Sequence, residues 1–304
     1  MDYSDGETAD NYRPDLYYYK VPSLYPVKVN LEMRHELVVR SLRVSTYTSI
    51  AKESGIPVLK VTKIMSTPTL PMPFALIVKL AELARIDMWD VLMSIEGIGC
   101  RKLLKPNFDF NATASLMGYS ISSSSKFKVR KGSVSLILRY DDDFQLSHIL
   151  QLSKSLFNLD SADLIVNKGE RKVYLPSHFG VVLLLFGGPT KREFYDGWEV
   201  PIWLERYPEQ FLRTFQSGKL FRSVPSRGCA RFYFKAFNLE GMLKFIEKLR
   251  DLYARTGIRL EEKPRVLSEN IIYLEICRRS VLEQLLYSIG FTSRVKIKAV
   301  SYTH

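Results

Sequence analysis

Cysteine and histidine are scarce and scattered in this chain: Cys100, Cys229 and Cys277, with His35, His148, His178 and His304. Three cysteines set far apart give neither a disulfide framework nor a zinc-ligand spacing. They are expected as core thiols, and no metal site or cofactor is expected. No apolar run approaches the roughly 18 residues of a membrane span. The most apolar stretch, Phe179 to Phe186, is short and ends at Gly187-Gly188-Pro189. The acidic, tyrosine-rich start lacks the basic and apolar regions of a signal peptide, so a cytoplasmic chain is expected, without membrane or small-molecule partner.

What is present is ordinary globular composition and an uneven charge. With 304 residues, 46% hydrophobic and 25% charged, the chain has the length of about two domains and enough apolar matter for their cores. The net charge is +12, and residues 101 to 304 carry 33 Lys and Arg against 20 Asp and Glu. An excess of that size over the carboxyl-terminal two thirds favours a polyanionic partner, because counterions released from a nucleic acid drive association.

Residues 1–30 mix acids, proline and Tyr17-Tyr18-Tyr19 without a period, and read as a tail that orders only against something. Residues 31–100 carry helical periodicity broken at Gly55, Pro68 to Pro73 and Arg85 to Asp87, which predicts a small all-helical module. Within it, Tyr47 to Ile64 has the spacing of a helix-turn-helix. Ala51 is small at the crossing, Gly55 supplies a left-handed turn, and Ile50, Ile56, Val61 and Ile64 fill the interface. Pro57 to Met65 becomes the recognition helix. Its outward residues are Val58, Leu59, Thr62, Lys63 and Ser66, with Lys60 near the backbone. A face led by Val58 and Leu59 fits thymine methyl groups, backbone contact or dimerisation.

From Ala112 the texture becomes mixed. A helix ends near Gly118, strands follow at Ser120–Val129 and Ser133–Tyr140, and a helix at Asp141–Leu159 is capped by Asp141. Strands near Ala162–Lys168 and Arg171–Leu175 and a helix opened by Ser177 complete residues 101–187 as a first repeat. After a linker, 188–200, residues 201–304 repeat the order. They give helices at Pro208–Phe221, Asn238–Thr256 and Arg278–Ile289, and strands at Ala230–Lys235, Arg259–Lys263 and Ile271–Ile276. The fold class is therefore α+β: an all-α helix-turn-helix bundle followed by a duplicated αββαββα body.

Trp203 to Ser223 (WLERYPEQFLRTFQSGKLFRS), then a strand, the helix Leu239 to Gly257 and Ile289-Gly290-Phe291, resemble the second half of a LAGLIDADG homing endonuclease. GWEVPIWL resembles that family's linker, and ASLMGYSIS, Ala114 to Ser122, resembles its first motif helix. The resemblance covers residues 108 to 291. It implies two motif helices packed along a pseudo-two-fold axis over a β-saddle that lies on DNA. It also implies a metal-holding acid near the end of each motif helix, where this chain has Gly118 and Lys219. No Asp or Glu occurs between Asp109 and Asp141 or between Glu209 and Glu240. Endonuclease activity by the family mechanism is therefore not expected.

The saddle strands are rich in cations instead. Lys126, Lys128 and Arg130 alternate along one strand and so share a face. The second repeat offers Arg222, Arg227, Arg231 and Lys235, with Arg259, Lys263 and Arg265 near its next strand. Tyr233 fits a contact to sugar or base, or plain strand packing, and Arg294, Lys296 and Lys298 fit an added strand or a phosphate clamp. The leading expectation is a nucleoid-associated, sequence-specific binder of double-stranded DNA, monomer or homodimer, acting in transcriptional regulation or at a replication origin. It resembles bacterial regulators that join a degenerate LAGLIDADG domain to a helix-turn-helix, with the order reversed. The alternatives are an endonuclease using other acids, such as Asp141, Asp142 and Asp143, and an RNA-binding, maturase-like splicing factor.

Overall fold

A computed structural model describes residues 12–99, 102–121, 125–130, 133–218, 221–224 and 229–295. The amino-terminal module contains α1 (Leu31–Val44), α2 (Tyr47–Ser54), α3 (Val58–Ser66), α4 (Phe74–Ala84) and α5 (Met88–Met93). Asn30 caps α1 by accepting the Met33 N–H, and Thr46 caps α2 through Ser49. Gly55 ends α2 at φ 68°, ψ 24°, a left-handed conformation that costs a residue with a Cβ about 1 kcal/mol or more. Ile50, Ala51, Ile56, Val61 and Ile64 are buried at the junction of α2 and α3. Pro57 is the N-cap of α3 rather than its first turn.

The module is not all-helical, contrary to expectation. Strands β1 (Pro26–Val29), β2 (Met72–Pro73) and β3 (Ile95–Ile98) form an antiparallel sheet with β1 in the centre. These strands are too short to carry a readable period, and the alternation in Pro26-Val27-Lys28-Val29 fell inside the presumed tail. Within the described part of the arm, residues 12–30, contacts run to other elements. Tyr25 is fully buried and its hydroxyl is 2.7 Å from Ser177 Oγ. Trp89 Nε1 donates to Pro14 O at 3.1 Å, and Tyr17 N donates to Leu185 O at 2.8 Å. Arg34 is buried at the end of α3, where its guanidinium donates to the carbonyls of Ile64, Thr67 and Leu70. It satisfies acceptors that the helix leaves open and opposes the negative end of the helix dipole.

The body holds two copies of one topology. The first is α6 (Phe110–Ser120), β4 (Lys126–Arg130), β5 (Ser133–Arg139), α7 (Asp143–Phe157), β6 (Ile165–Asn167), β7 (Lys172–Leu175) and α8 (Ser177–Leu185). The linker contains α9 (Lys191–Gly197), opened by a Thr190/Glu193 capping box. The second copy is α10 (Pro208–Gly218), β8 (Phe221–Val224), β9 (Cys229–Lys235), α11 (Leu239–Arg255), β10 (Arg265–Ser268), β11 (Ile271–Ile276) and α12 (Arg279–Gln284), continued by a π-helical turn, Leu285–Ile289. The sheets run β4-β5-β7-β6 and β8-β9-β11-β10. In each, the third strand in sequence lies at the edge and the fourth inside, so the duplication read from the sequence is present in the strand order.

Several boundaries differ from expectation. Helix α10 stops at Gly218 and Phe221 opens a strand instead. The α7 cap is Asp142, which accepts the Gln145 N–H at 2.9 Å, not Asp141. The third strand of the second copy is Arg265–Ser268 rather than Arg259–Lys263. Charged residues and proline are poor strand formers, which disfavours Glu261-Glu262-Lys263-Pro264. The Arg259 carbonyl is taken by Arg278 Nη2 at 3.1 Å.

Helices α6 and α10 cross at the centre of the body. Helix α6 is buried from Ala112 to Ser120, so it carries no polar stripe. Gly118 permits the crossing. A Cβ there would lie 2.2 Å from Thr214 Oγ1, 2.5 Å from Phe211 O and 2.8 Å from Phe215 N. Two of these are backbone atoms, which cannot yield without moving α10. Replacing Gly118 by Ala is expected to lower unfolding free energy by about 1–3 kcal/mol through overpacking, measured as the shift of a urea transition. A Gly118→Ala transition within 0.5 kcal/mol of wild type, as for a plain surface site, would show that the helices part easily.

Candidate nucleic-acid interface

Each four-stranded sheet buries one face and opens the other. In the first, Phe127, Leu136, Leu138, Val173 and Leu175 point into the core. Period-two alternation then sends their neighbours outward. Lys126, Lys128 and Arg130 are all exposed on β4, opposite Ile137, Ser135 and Ser133 of β5. Arg139 and Lys172 face each other across β5 and β7 and extend the row. Neither was singled out in the sequence, although the alternation of Ser133 to Arg139 puts Arg139 on this face.

In the second sheet, Phe232, Phe234, Ile272, Leu274 and Ile276 are buried. The open face is a ladder of cross-strand pairs: Arg231 with Glu275, Tyr233 with Tyr273, and Lys235 with Ile271. Arg231 Nε donates to Glu275 Oε1 at 2.7 Å, and its guanidinium lies 5.0 Å from the Tyr273 ring centre. Hydrogen bonds with Tyr233 and Glu275 raise its pKa further. Glu275 also meets Arg265 Nη1 at 3.7 Å, so two guanidiniums share one carboxylate and a positive charge is left over. Tyr233 packs against Tyr273 with ring centres 6.0 Å apart. Lys235 Nζ lies 5.1 Å from the Phe237 ring centre and 5.7 Å from that of Tyr195.

Other expected residues fall elsewhere. Arg222 is opposite Arg231 in the β8–β9 register, while Arg227 and Lys219 lie outside the described residues, as do Lys296 and Lys298. Arg259 and Lys263 lie on no strand. Lys263 instead borders a pocket of about 300 Å³ with Glu262, Arg265 and Arg278. Arg294 stacks on Phe144 at 5.4 Å and forms no added strand. On α3, Val58, Leu59, Lys60, Thr62, Lys63 and Ser66 are all exposed, Leu59 at 87%. The hydroxyls of Thr62 and Ser66 turn back to Val58 O and Lys63 O.

The two positions matched to metal-binding acids need separate treatment. Gly118 is inside the helix crossing, not at a free helix end. The residue that follows it, Tyr119, donates from its hydroxyl to Thr292 Oγ1 at 2.6 Å and lies 3.1 Å from His148 Nδ1. Thr292 N donates in turn to Ser217 Oγ at 2.7 Å. Burial, with Arg213 adding its charge, brings the His148 pKa down to about 4, and burial raises that of the Tyr119 phenol above its ordinary value. The cluster is thus neutral near pH 7. Asp142 is tied to its cap: burial opposes ionisation, but Gln145 N, Val295 N and the Ser293 hydroxyl together hold its pKa below the usual range.

The cysteines overturn an expectation. Cys229 and Cys277 form a disulfide with Cα atoms 4.2 Å apart. They sit one step beyond the Ala230–Ile276 pair, in line with Arg231 and Glu275. Forty-eight residues separate them in sequence, and only strand register brings them together. Cys100 lies outside the described residues. Among the described residues, Cys229, Glu275 and Cys277 are the one group with ligand atoms within 4.8 Å of one another. The sulfurs are joined and the carboxylate is engaged by Arg231 and Arg265.

No known family profile and no curated protein sequence matches the chain. Solved structures similar to it include mesophilic variants of the homing endonuclease I-DmoI, 13% identical, covering 59% of this chain and 94% of that one at a TM-score of 0.38. I-DmoI in complex with DNA and Ca is 12% identical, covering 63% and 97% at 0.39. The N-terminal LAGLIDADG domain of WhiA is 14% identical, covering 61% and 86% at 0.34.

Closing a loop of 48 residues restricts the unfolded chain, and a native disulfide typically contributes about 2–4 kcal/mol. Cys229→Ser is therefore expected to lower the melting temperature by several degrees in non-reducing buffer. Excess dithiol should lower the wild type equally and leave the variant unchanged. A wild-type transition indifferent to dithiol would count against the crosslink.

Proposed function

We propose that this chain binds double-stranded DNA along the open face of its two sheets, with α3 reading the adjacent stretch, as a transcriptional regulator or origin binder that does not cut. The observation that carries the reading is the repetition of one strand order with cations on the same open face in both copies. Along β4, alternate residues stand roughly 6.8 Å apart, so Lys126, Lys128 and Arg130 form a line of charge and not a point. A two-stranded ribbon fits the major groove, about 12 Å wide. Both repeats belong to one chain, so the saddle needs no second copy. The exposed Val58 and Leu59 suit thymine methyl groups, and Lys60 and Lys63 suit phosphates.

The expected absence of cleavage follows from the carboxylate-free stretches, Phe110 to Tyr140 and Gln210 to Leu239, that run through and beyond the carboxyl-terminal ends of both motif helices. A hard cation that activates water needs oxygen ligands where water attacks. Lys219 supplies a positive charge in place of one, which favours phosphate and opposes metal.

Selection of bound duplexes from a random pool at stated salt, followed by footprinting, tests the reading; a footprint of about 20 base pairs or more is expected for both modules together. Replacing Lys126, Lys128 and Arg130 together by Gln should lower the slope of log affinity against log salt by about 2.7, from roughly 0.9 per phosphate contact. An unchanged slope would remove this face from the interface. With magnesium or manganese no specific cut is expected, and a cut would restore the nuclease alternative. Structured RNA outcompeting duplex DNA would favour the splicing-factor alternative.

A further inference from the structure

Cys229 opens β9, and Cys277 directly follows β11. The two sulfurs of their disulfide differ in access: Cys229 is 2% exposed, whereas Cys277 is open to solvent. Beside Cys277 lies a cavity of about 300 Å³ lined by Glu262, Lys263, Arg265, Glu275, Cys277 and Arg278. We propose that the Cys277 sulfur is a site of thiol–disulfide exchange whose partner, received in this cavity, is a small thiol with an anionic tail, a role that stands apart from DNA binding.

Exchange begins when a thiolate attacks one sulfur of the disulfide. Cys229 is covered by protein, so attack falls on Cys277. The bond formed joins the small thiol to Cys277 Sγ, and the bond broken is the one between the two cysteines. Its electron pair leaves on Cys229 Sγ, which then takes a proton. A second molecule of the thiol displaces the first from Cys277. Two small thiols are thereby oxidised to their own disulfide, and the crosslink between β9 and β11 is reduced to two thiols.

Negative charge spreads over three sulfurs during each displacement, and nearby cations favour it. Arg231 stands two residues along β9 from Cys229, on the same face. On the entry side, Glu261 and Glu262 both turn to Arg278, at 3.0 and 3.1 Å, and Glu275 is shared by Arg231 and Arg265. The carboxylates are thus engaged by guanidiniums. Lys263 and Arg265 are exposed at the cavity, where they attract an anionic tail and repel a cationic one.

The test compares 3-mercaptopropionate, 2-mercaptoethanol and cysteamine, whose tails are anionic, neutral and cationic. The rate at which each opens the wild-type crosslink, read by alkylating the freed thiols, is expressed per thiolate and divided by its rate with a small neutral disulfide. The anion should lead the cation by about tenfold at low salt, and the lead should shrink as salt is added. Lys263→Gln combined with Arg265→Gln should bring the ratio close to one, a change that loss of stability alone would not produce. Mass spectrometry then locates the adduct in a Cys100→Ser background. With the symmetric disulfide of 3-mercaptopropionate, Cys229→Ser should gain one adduct, on Cys277, and Cys277→Ser should gain none. Equal normalised rates for the three thiols, a preference that survives removal of both cations, or an adduct on Cys229 overturns the site; the wild-type rates decide it even where a cysteine variant fails to fold.

Discussion

The close approach of α6 and α10 is the constraint on which the rest depends. A pair of helices this near needs a residue without a Cβ where the axes cross, and Gly118 against the backbone of Phe211 and Phe215 supplies it. Once the pair is fixed, each sheet has a set place. Phe211 and Phe215 stack 5.7 Å apart on α10, and Phe215 continues onto Phe232 of β9 at 6.0 Å. The crossing thereby transmits its geometry through aromatic rings to the strands. The second sheet is thereby tied to the helix pair behind it.

Charge on that surface is arranged unequally. The first sheet presents Lys126, Lys128 and Arg130 exposed along an edge strand, where solvent screens their repulsion. The second binds Arg231 and Arg265 to Glu275, which lowers the local charge and holds the Arg231 guanidinium over Tyr273. One half is thus an exposed line of cations, and the other a set of planar groups braced by a carboxylate. Braced guanidiniums suit defined hydrogen bonds, since less side-chain freedom remains to be lost on contact.

The sequence was informative where periodicity carried the structure. The duplication, the α2–α3 turn at Gly55, and the shared face of Lys126, Lys128 and Arg130 follow from spacings within a single segment. What stayed hidden depended on pairing between segments. The disulfide needs the β9–β11 register, and Glu275 becomes a partner of Arg231 only once those strands are aligned. The three-stranded sheet of the first module is built from pieces of two to four residues, below the length at which a period is readable. Gly118 was legible as a motif residue, but not as the contact point of the helix crossing. A small residue near a helix end fits a lost ligand and a contact point equally well, and only the distance to Thr214 separates them.

The space below the crossing is filled by hydrogen-bonded side chains from both repeats. A metal-dependent nuclease has to keep two carboxylates charged at the ends of closely packed helices, although their mutual repulsion opposes the packing unless a cation sits between them. Here the corresponding region holds Tyr119, Ser217 and Thr292 in a neutral hydrogen-bonded chain, with His148 kept uncharged by burial. Thr292 belongs to the segment after α12, whose next residues, Ser293 and Val295, bond Asp142 at the start of α7. That segment therefore joins the second repeat to the first at the place where, on the proposed reading, a nuclease would hold its metal. The helix pair is thus closed by hydrogen bonds of its own chain.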